Sequence, residues 1–68
     1  MKDFGQRLKD LRLEHNISQT ELSKATGLSQ ATIAKYETGD RTPSADCLIA
    51  LAKYFKCTSD YLLGLEEF

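Results

Sequence analysis

The sequence has no tryptophan, one proline, one histidine and only two cysteines in 68 residues. It also has no unbroken apolar run near the roughly 20 residues that a membrane-spanning helix needs. Each shortage excludes something. Cys47 and Cys57 are ten residues apart and form no disulfide framework. The first ten residues, "MKDFGQRLKD", carry charges of both signs and no apolar block, so they do not read as an export signal. The expectation is a cytoplasmic protein with reduced thiols and no membrane contact. Neither cysteine belongs to a CxxC pair, and with His15 they supply three soft ligands where a structural zinc site uses four. No metal and no cofactor are expected. A catalytic Cys–His pair has no support in the spacing. Asp3, Asp10 and Glu14 fit a solvated helix face rather than an acid–base pair, and there is no glycine-rich phosphate loop. No catalytic residue is assigned, and the chain is not read as an enzyme.

Alternating runs of β-branched and aromatic residues are also missing, so no strand is expected. Apolar residues recur instead at helical spacing, which gives an all-α class. Phe4, Leu8 and Leu11 fit a first helix from about Lys2 to His15, stopped by Asn16 in a left-handed conformation. Ser18 caps a second helix, and Glu21, three residues on, completes a capping box. Leu22 and Ala25 are its expected inner face. Gly27 permits the positive φ of a tight turn. Ser29 caps a third helix with Ile33 and Tyr36 inward, and Gly39 ends it. Pro43 and Ser44 lead into a fourth helix, with Asp46 near its positive end and a stripe of Cys47, Leu48, Leu51, Ala52 and Phe55. Thr58 caps a short fifth helix through Leu62 and Leu63, stopped at Gly64. The expected organisation is one domain over residues 1–64 and a tail at 65–68.

A domain this small buries only about 60% of the surface its unfolded chain exposes, so its stability margin is thin. The formal charge is −1, but it is unevenly spread. Asp60, Glu66 and Glu67 lie in the last nine residues with no Lys or Arg among them. Residues 1–58 hold nine basic and seven acidic side chains, a net of +2.

The pair Ser-Gln opens two consecutive helices, at Ser18-Gln19 and Ser29-Gln30. A turn as short as the one at Gly27 makes the second of these helices cross the first steeply, with Leu22, Leu28, Ile33 and Tyr36 inward. Small Ser23 is expected where the two come closest. This is a helix-turn-helix over about 18–38. Helix N-termini carry free N–H groups and partial positive charge, which suits phosphate. Gln19 is placed to bond a phosphate. Gln30 is placed to reach a base edge, because glutamine pairs bidentately with adenine.

"QTELSKATGLSQATIAKYETGDRTPS", residues 19–44, resembles the phage repressor/Cro-like, or XRE-type, helix-turn-helix family. Gln19, Glu21-Leu22, Gly27, Ser29, Ile33, Glu37, Gly39, Arg41 and Pro43-Ser44 carry the likeness. "RLKDLRLEHNIS" resembles the family's first helix and "LIALAKYFKCTSDYLLG" its last two. The resemblance implies a five-helix bundle of the lambda-repressor-like DNA-binding type. It implies a sequence-specific transcriptional regulator, a repressor, that binds a double-stranded operator as a homodimer. It places Gln30, Ala31 and Lys35 at base-reading positions. It places Gln19, Ser29, Thr32, Thr38 and Arg41 on the DNA backbone, with Lys24 as an added phosphate contact. Two positions depart from the common pattern. Ser23 is usually Ala, and Thr26 is usually aliphatic, which is expected to loosen the turn.

A bare Glu37 carboxylate at the end of such a recognition helix would repel phosphate. Arg12, beside Leu8 and Leu11, is expected to pair with it. Dimerisation is expected at the end remote from the DNA face, through Cys57, Tyr61, Leu65 and Phe68. The alternative is an antitoxin or protein-interaction module that uses the same fold to dock a protein partner. The acidic, partly apolar "LLGLEEF" is the feature that speaks for it.

Overall fold

The computed structural model describes residues 4–63. They form five helices: α1 (Phe4–Glu14), α2 (Gln19–Thr26), α3 (Gln30–Thr38), α4 (Ala45–Phe55) and α5 (Ser59–Leu63). No strand occurs among the described residues. The expected start of the first helix at Lys2, the stop at Gly64 and the tail at 65–68 lie outside them. None of the described helices is long and apolar enough to cross a membrane.

The helix ends follow from local chemistry. Asn16 adopts φ 56°, and its N–H donates to the Leu13 carbonyl while that of Ile17 reaches back to Arg12. This is the Schellman arrangement, in which two otherwise orphaned carbonyls are satisfied by one left-handed residue. Gly39 ends α3 in the same way, through its own N–H to Tyr36 and that of Asp40 to Lys35. Lys56 ends α4 likewise at φ 57°. A lysine there carries a left-handed cost of about 1–2 kcal/mol that a glycine would not. Ser18, Ser29 and Ser44 cap α2, α3 and α4, and the Thr58 hydroxyl accepts the Tyr61 N–H at 3.0 Å.

Each helix contributes one fully sealed aliphatic side chain to a shared core: Leu8, Leu22, Ile33, Leu51 and Leu62. Phe4, Leu11, Tyr36, Ala52 and Phe55 surround them, and Leu28, Cys47 and Leu48 pack against the cluster half-buried. All five helices therefore share one core. Two expectations are corrected. Ala25 is exposed, not inward. Successive residues turn about 100° around a helix, so Thr26 lies closer to the bearing of Leu22 than Ala25 does and takes the inner place. Thr26 also does not loosen the turn. Its hydroxyl donates to the Leu22 carbonyl at 2.8 Å and lies 3.4 Å from the Leu28 N–H.

The α1–α3 contact sets where the third helix stands. Phe4 and Tyr36 meet edge to face at 5.5 Å between ring centres. Gly5 lies so close to α3 that a Cβ would overlap the Tyr36 carbonyl oxygen and press on that of Glu37. At the other end of α1, Arg12 Nε and Nη2 grip the Glu37 carboxylate at 2.7 and 3.1 Å, while Nη1 donates to the Ile17 carbonyl at 3.0 Å. The two side chains are 12% and 5% exposed, so the pair is largely shielded from water. His15 closes α1 against α4. Its Nδ1 is 2.9 Å from the Leu11 carbonyl, and its ring meets Phe55 edge to face at 5.0 Å.

Two outcomes test this frame. Gly5→Ala should cost about 1–3 kcal/mol, because the obstruction is backbone and must shift bodily. Each kcal/mol lowers the melting temperature of so small a domain by about 4–8 °C, so an unchanged melting curve would refute the close approach. Arg12→Met should cost about 3–5 kcal/mol by stranding the Glu37 charge, whereas Arg12→Met/Glu37→Met should melt near the parent protein. Equal melting of the single and double variants would show that the pair is not shielded as described.

Candidate nucleic-acid interface

The N-termini of α2 and α3 are built to one plan. At α2, the Ser18 hydroxyl accepts the Glu21 N–H at 3.0 Å and the Glu21 carboxylate accepts the Ser18 N–H at 2.7 Å. At α3, the Ser29 hydroxyl accepts the Thr32 N–H at 3.0 Å and donates to the Thr32 hydroxyl at 2.8 Å. Each cap satisfies one N–H of the first turn and leaves earlier ones without an intrahelical partner, facing an anion if one approaches. Gly27, at φ 80°, turns the chain between the two starts.

On α3, Ile33 and Tyr36 are buried, Ala31 and Lys35 are exposed on the other side, and Gln30 is exposed at the first position of the helix. Ala31, Lys35 and Thr38 are spaced i, i+4, i+7 and so share one outward stripe, while Gln30, the first residue of α3, is exposed about 100° round the helix from Ala31. The stripe and the helix start together offer a small apolar group, an ammonium and a primary amide, which can meet a methyl group, acceptor pairs and a donor–acceptor pair. The three residues assigned to base reading are thus all exposed, Ala31 and Lys35 on the stripe and Gln30 at the helix start.

The residues assigned to the DNA backbone are less uniform. Arg41 is exposed on the α3–α4 loop. Thr32 receives the hydrogen of Ser29 and keeps its own hydroxyl hydrogen unshared among the described residues. Ser29 has given its hydrogen to Thr32. The Thr38 hydroxyl hydrogen is shared between the Lys35 carbonyl at 3.1 Å and the Asp40 carboxylate at 3.0 Å. Ser29 and Thr38 therefore face solvent without a side-chain hydrogen to donate. Gln19 is half-buried, and its Nε2 donates to Glu37 Oε1 at 3.1 Å. Lys24 is exposed on α2.

A shallow cleft separates the α2–α3 turn from the α3–α4 loop, with Arg41 and Thr42 at its rim and Tyr36 and Cys47 in its wall. The Cys47 thiol is held below the usual range, first by the Ser44 hydroxyl and then by the Tyr36 phenol. Burial, helped by the bond to Cys47, pushes Tyr36 up to about 12. Burial pushes the Cys57 thiol up. The bond to Glu37 raises the Arg12 guanidinium further, against the effect of burial. Among the described residues, no group of three or more His, Cys, Asp or Glu side chains could hold a metal ion.

Of the four residues assigned to a dimer surface, Cys57 and Tyr61 are half-buried against the monomer's own core. The Arg7 guanidinium lies over the Tyr61 ring at 5.1 Å. Leu65 and Phe68 lie outside the described residues. Sequence reasoning missed Gly5 and the Gln19–Glu37 bond. A glycine inside a helix costs about 1 kcal/mol against alanine, so Gly5 was itself a signal of close approach. The Gln19–Glu37 bond joins residues of two helices, and no local pattern encodes it.

A family model described as helix-turn-helix matches residues 8–62. The HTH-type transcriptional regulator AnsR of Bacillus subtilis is 41% identical over 61 residues, which are 90% of this chain and 53% of AnsR. The HTH-type transcriptional activator BcrR of Enterococcus faecalis is 34% identical over 65 residues, 96% of this chain and 32% of BcrR. The chain thus spans about half of one relative and about a third of the other. The crystal structure of the c2 repressor of Salmonella phage P22, in complex with a synthetic operator, superposes with a TM-score of 0.90 at 32% identity. That match covers 97% of this chain and 100% of the other. The matched residues run from α1 to α5 and include both capped starts and the turn between them: the chain belongs to the XRE-type helix-turn-helix family.

Proposed function

We propose that the chain is a sequence-specific, double-stranded DNA-binding regulator of transcription that represses by occupying an operator. In this reading α3 lies in the major groove. The observation that carries it is the exposure of Gln30 at the start of α3 and of Ala31 and Lys35 along its outer side, on a helix whose inner side is sealed into the core. The likeness to a repressor solved on its operator supports the same docking. Gln30 pairs with an adenine edge, Ala31 meets a thymine methyl, and Lys35 reaches guanine acceptors or a phosphate. Gln19, Thr32 and Arg41 hold the backbone together with the first-turn N–H groups of α2 and α3. Ser29 contributes through its backbone N–H, and both Ser29 and Thr38 accept from bridging water. Lys24 adds a phosphate contact. The domain covers residues 1–64 and acts in the cytoplasm on nucleoid or phage DNA.

One recognition helix covers too few base pairs for operator-level specificity. Two copies therefore bind half-sites one helical turn apart, about 34 Å. The two copies meet away from the DNA face, around Cys57 and Tyr61 and the chain beyond them, and do so mainly on DNA.

Phosphate contacts fix register and base contacts carry sequence information, so the two kinds separate experimentally. Sequences selected from a random duplex pool define the operator. Gln30→Ala should then cost about 1–3 kcal/mol on that operator, cost far less on random DNA, and relax preference at one base pair per half-site. Arg41→Ala should weaken both DNAs alike and flatten the salt dependence by about one unit of slope for each phosphate lost. An identical ratio of specific to non-specific affinity in the two variants would sink the assignment of base reading to Gln30. Footprinting and sedimentation should show two half-sites filling cooperatively. One monomer on one half-site, without cooperativity, would overturn the dimer.

A further inference from the structure

Glu37 has one more partner than a salt bridge requires. Its Oε2 takes Arg12 Nε at 2.7 Å, and its Oε1 takes both Arg12 Nη2 and Gln19 Nε2, each at 3.1 Å. The carboxylate is therefore held by α1 and in turn holds the first residue of α2, from a position on α3. An ionised carboxylate only accepts, so the Gln19 amide must present its nitrogen to Glu37. One Nε2 hydrogen is consumed there. The second has no partner among the described residues, and Gln19 stands half-buried at the opening turn of α2.

We infer that Glu37 is the positioning residue for Gln19: it fixes the glutamine amide so that the free Nε2 hydrogen meets a DNA phosphate at the start of α2. The inference rests on the proposed phosphate contact of Gln19. A free glutamine side chain loses much of its rotamer freedom when it is ordered. Glu37 removes that loss before DNA arrives, and Arg12 keeps the carboxylate from repelling the phosphate it serves. Glu37 touches no DNA in this arrangement. It acts only through Gln19, and its negative charge, a liability near DNA, is what selects the amide nitrogen as the inward atom.

The experiment is a double-variant cycle on the full chain, with a duplex carrying the sequence selected from the random pool. Arg12→Met/Glu37→Met removes the grip on Gln19, leaves the net charge unchanged and replaces the pair with apolar side chains of similar reach. Circular dichroism and melting establish that each variant is folded at the assay temperature. In the parent background, Gln19→Ala should weaken binding by about two- to tenfold, the range of one hydrogen bond. In the Arg12→Met/Glu37→Met background it should weaken binding by less than about twofold, because the two sites are coupled. Replacing the duplex phosphates singly by methylphosphonate locates the contact. Gln19→Ala and Arg12→Met/Glu37→Met should lose sensitivity at the same phosphate, which a merely structural role for Glu37 would not produce. In the DNA-free protein, the Gln19 side-chain amide protons should be shifted and unequal in nuclear magnetic resonance spectra, and should collapse to solvent-like values without Glu37. Equal losses from Gln19→Ala in both backgrounds would overturn the inference while leaving the phosphate contact intact. No loss in either background would remove Gln19 from the DNA contacts and overturn both.

Discussion

The orientation of α3 is held in part by one guanidinium. Arg12 spends three hydrogen bonds on two partners, the Glu37 carboxylate and the Ile17 carbonyl, and so ties α1 to α3 and to the strap before α2. Lysine could not replace it. A guanidinium presents a rigid fork that meets a carboxylate at two points and still has a donor for a carbonyl, whereas an ammonium is a single flexible point. The desolvation cost of such a pair is large, and the attraction offsets it only when the geometry is good and the remaining hydrogen-bonding groups are filled. Here the spare valences go to Ile17 and Gln19. The pair is thus better understood as fixing an orientation than as a source of stability. At the far end of α1, Gly5 sets the spacing that the ion pair then locks in angle.

How much of this was legible in the sequence depended on distance along the chain. Ser18 with Glu21, Ser29, Asn16, Gly27 and Gly39 each act on groups within a few residues, and all five stand as expected. Lys56 was not foreseen, because its left-handed turn is imposed by the link between α4 and α5 and not by its own preference. Ala25 and Thr26 went astray for another reason. A helix of eight residues has barely two turns, so a period of three or four cannot tell which neighbour of Leu22 is inward. The Arg12–Glu37 contact spans 25 positions and was found only because an unpaired carboxylate on α3 would be costly near phosphate. The Gln19–Glu37 bond had no such argument, since a half-solvated amide is satisfied equally well by water.

Net charge was the weakest guide. A formal charge of −1 argues against nucleic acid if taken as a property of the whole chain. Long-range attraction steers and speeds association, but helix N-termini and placed amides act within one or two bond lengths and do not register in that sum. Three of the acidic residues fall at or beyond α5, and two more, Glu21 and Glu37, are bound to a cap and to Arg12. What the DNA face offers is therefore less negative than composition implies.

The hydroxyls and the amides divide the work between them. Ser18, Ser29 and Ser44 accept N–H groups of their own helices, and Thr38 closes the end of α3. Their chemistry is spent on building helix ends. Gln19 and Gln30, one residue after two of those caps, are the side chains left with both donor and acceptor capacity at the same positions. Repeating Ser-Gln thus has one meaning twice over: the serine makes a helix start, and the glutamine uses it. The two glutamines differ only in what lies behind them. Gln19 is backed by a carboxylate that α1 holds in place, which suits a contact that must be the same on every DNA. Gln30 is exposed, with no such constraint, which suits a contact whose partner changes with sequence. In the proposed reading a fixed amide positions and an adaptable one reads, both drawn from the same dipeptide.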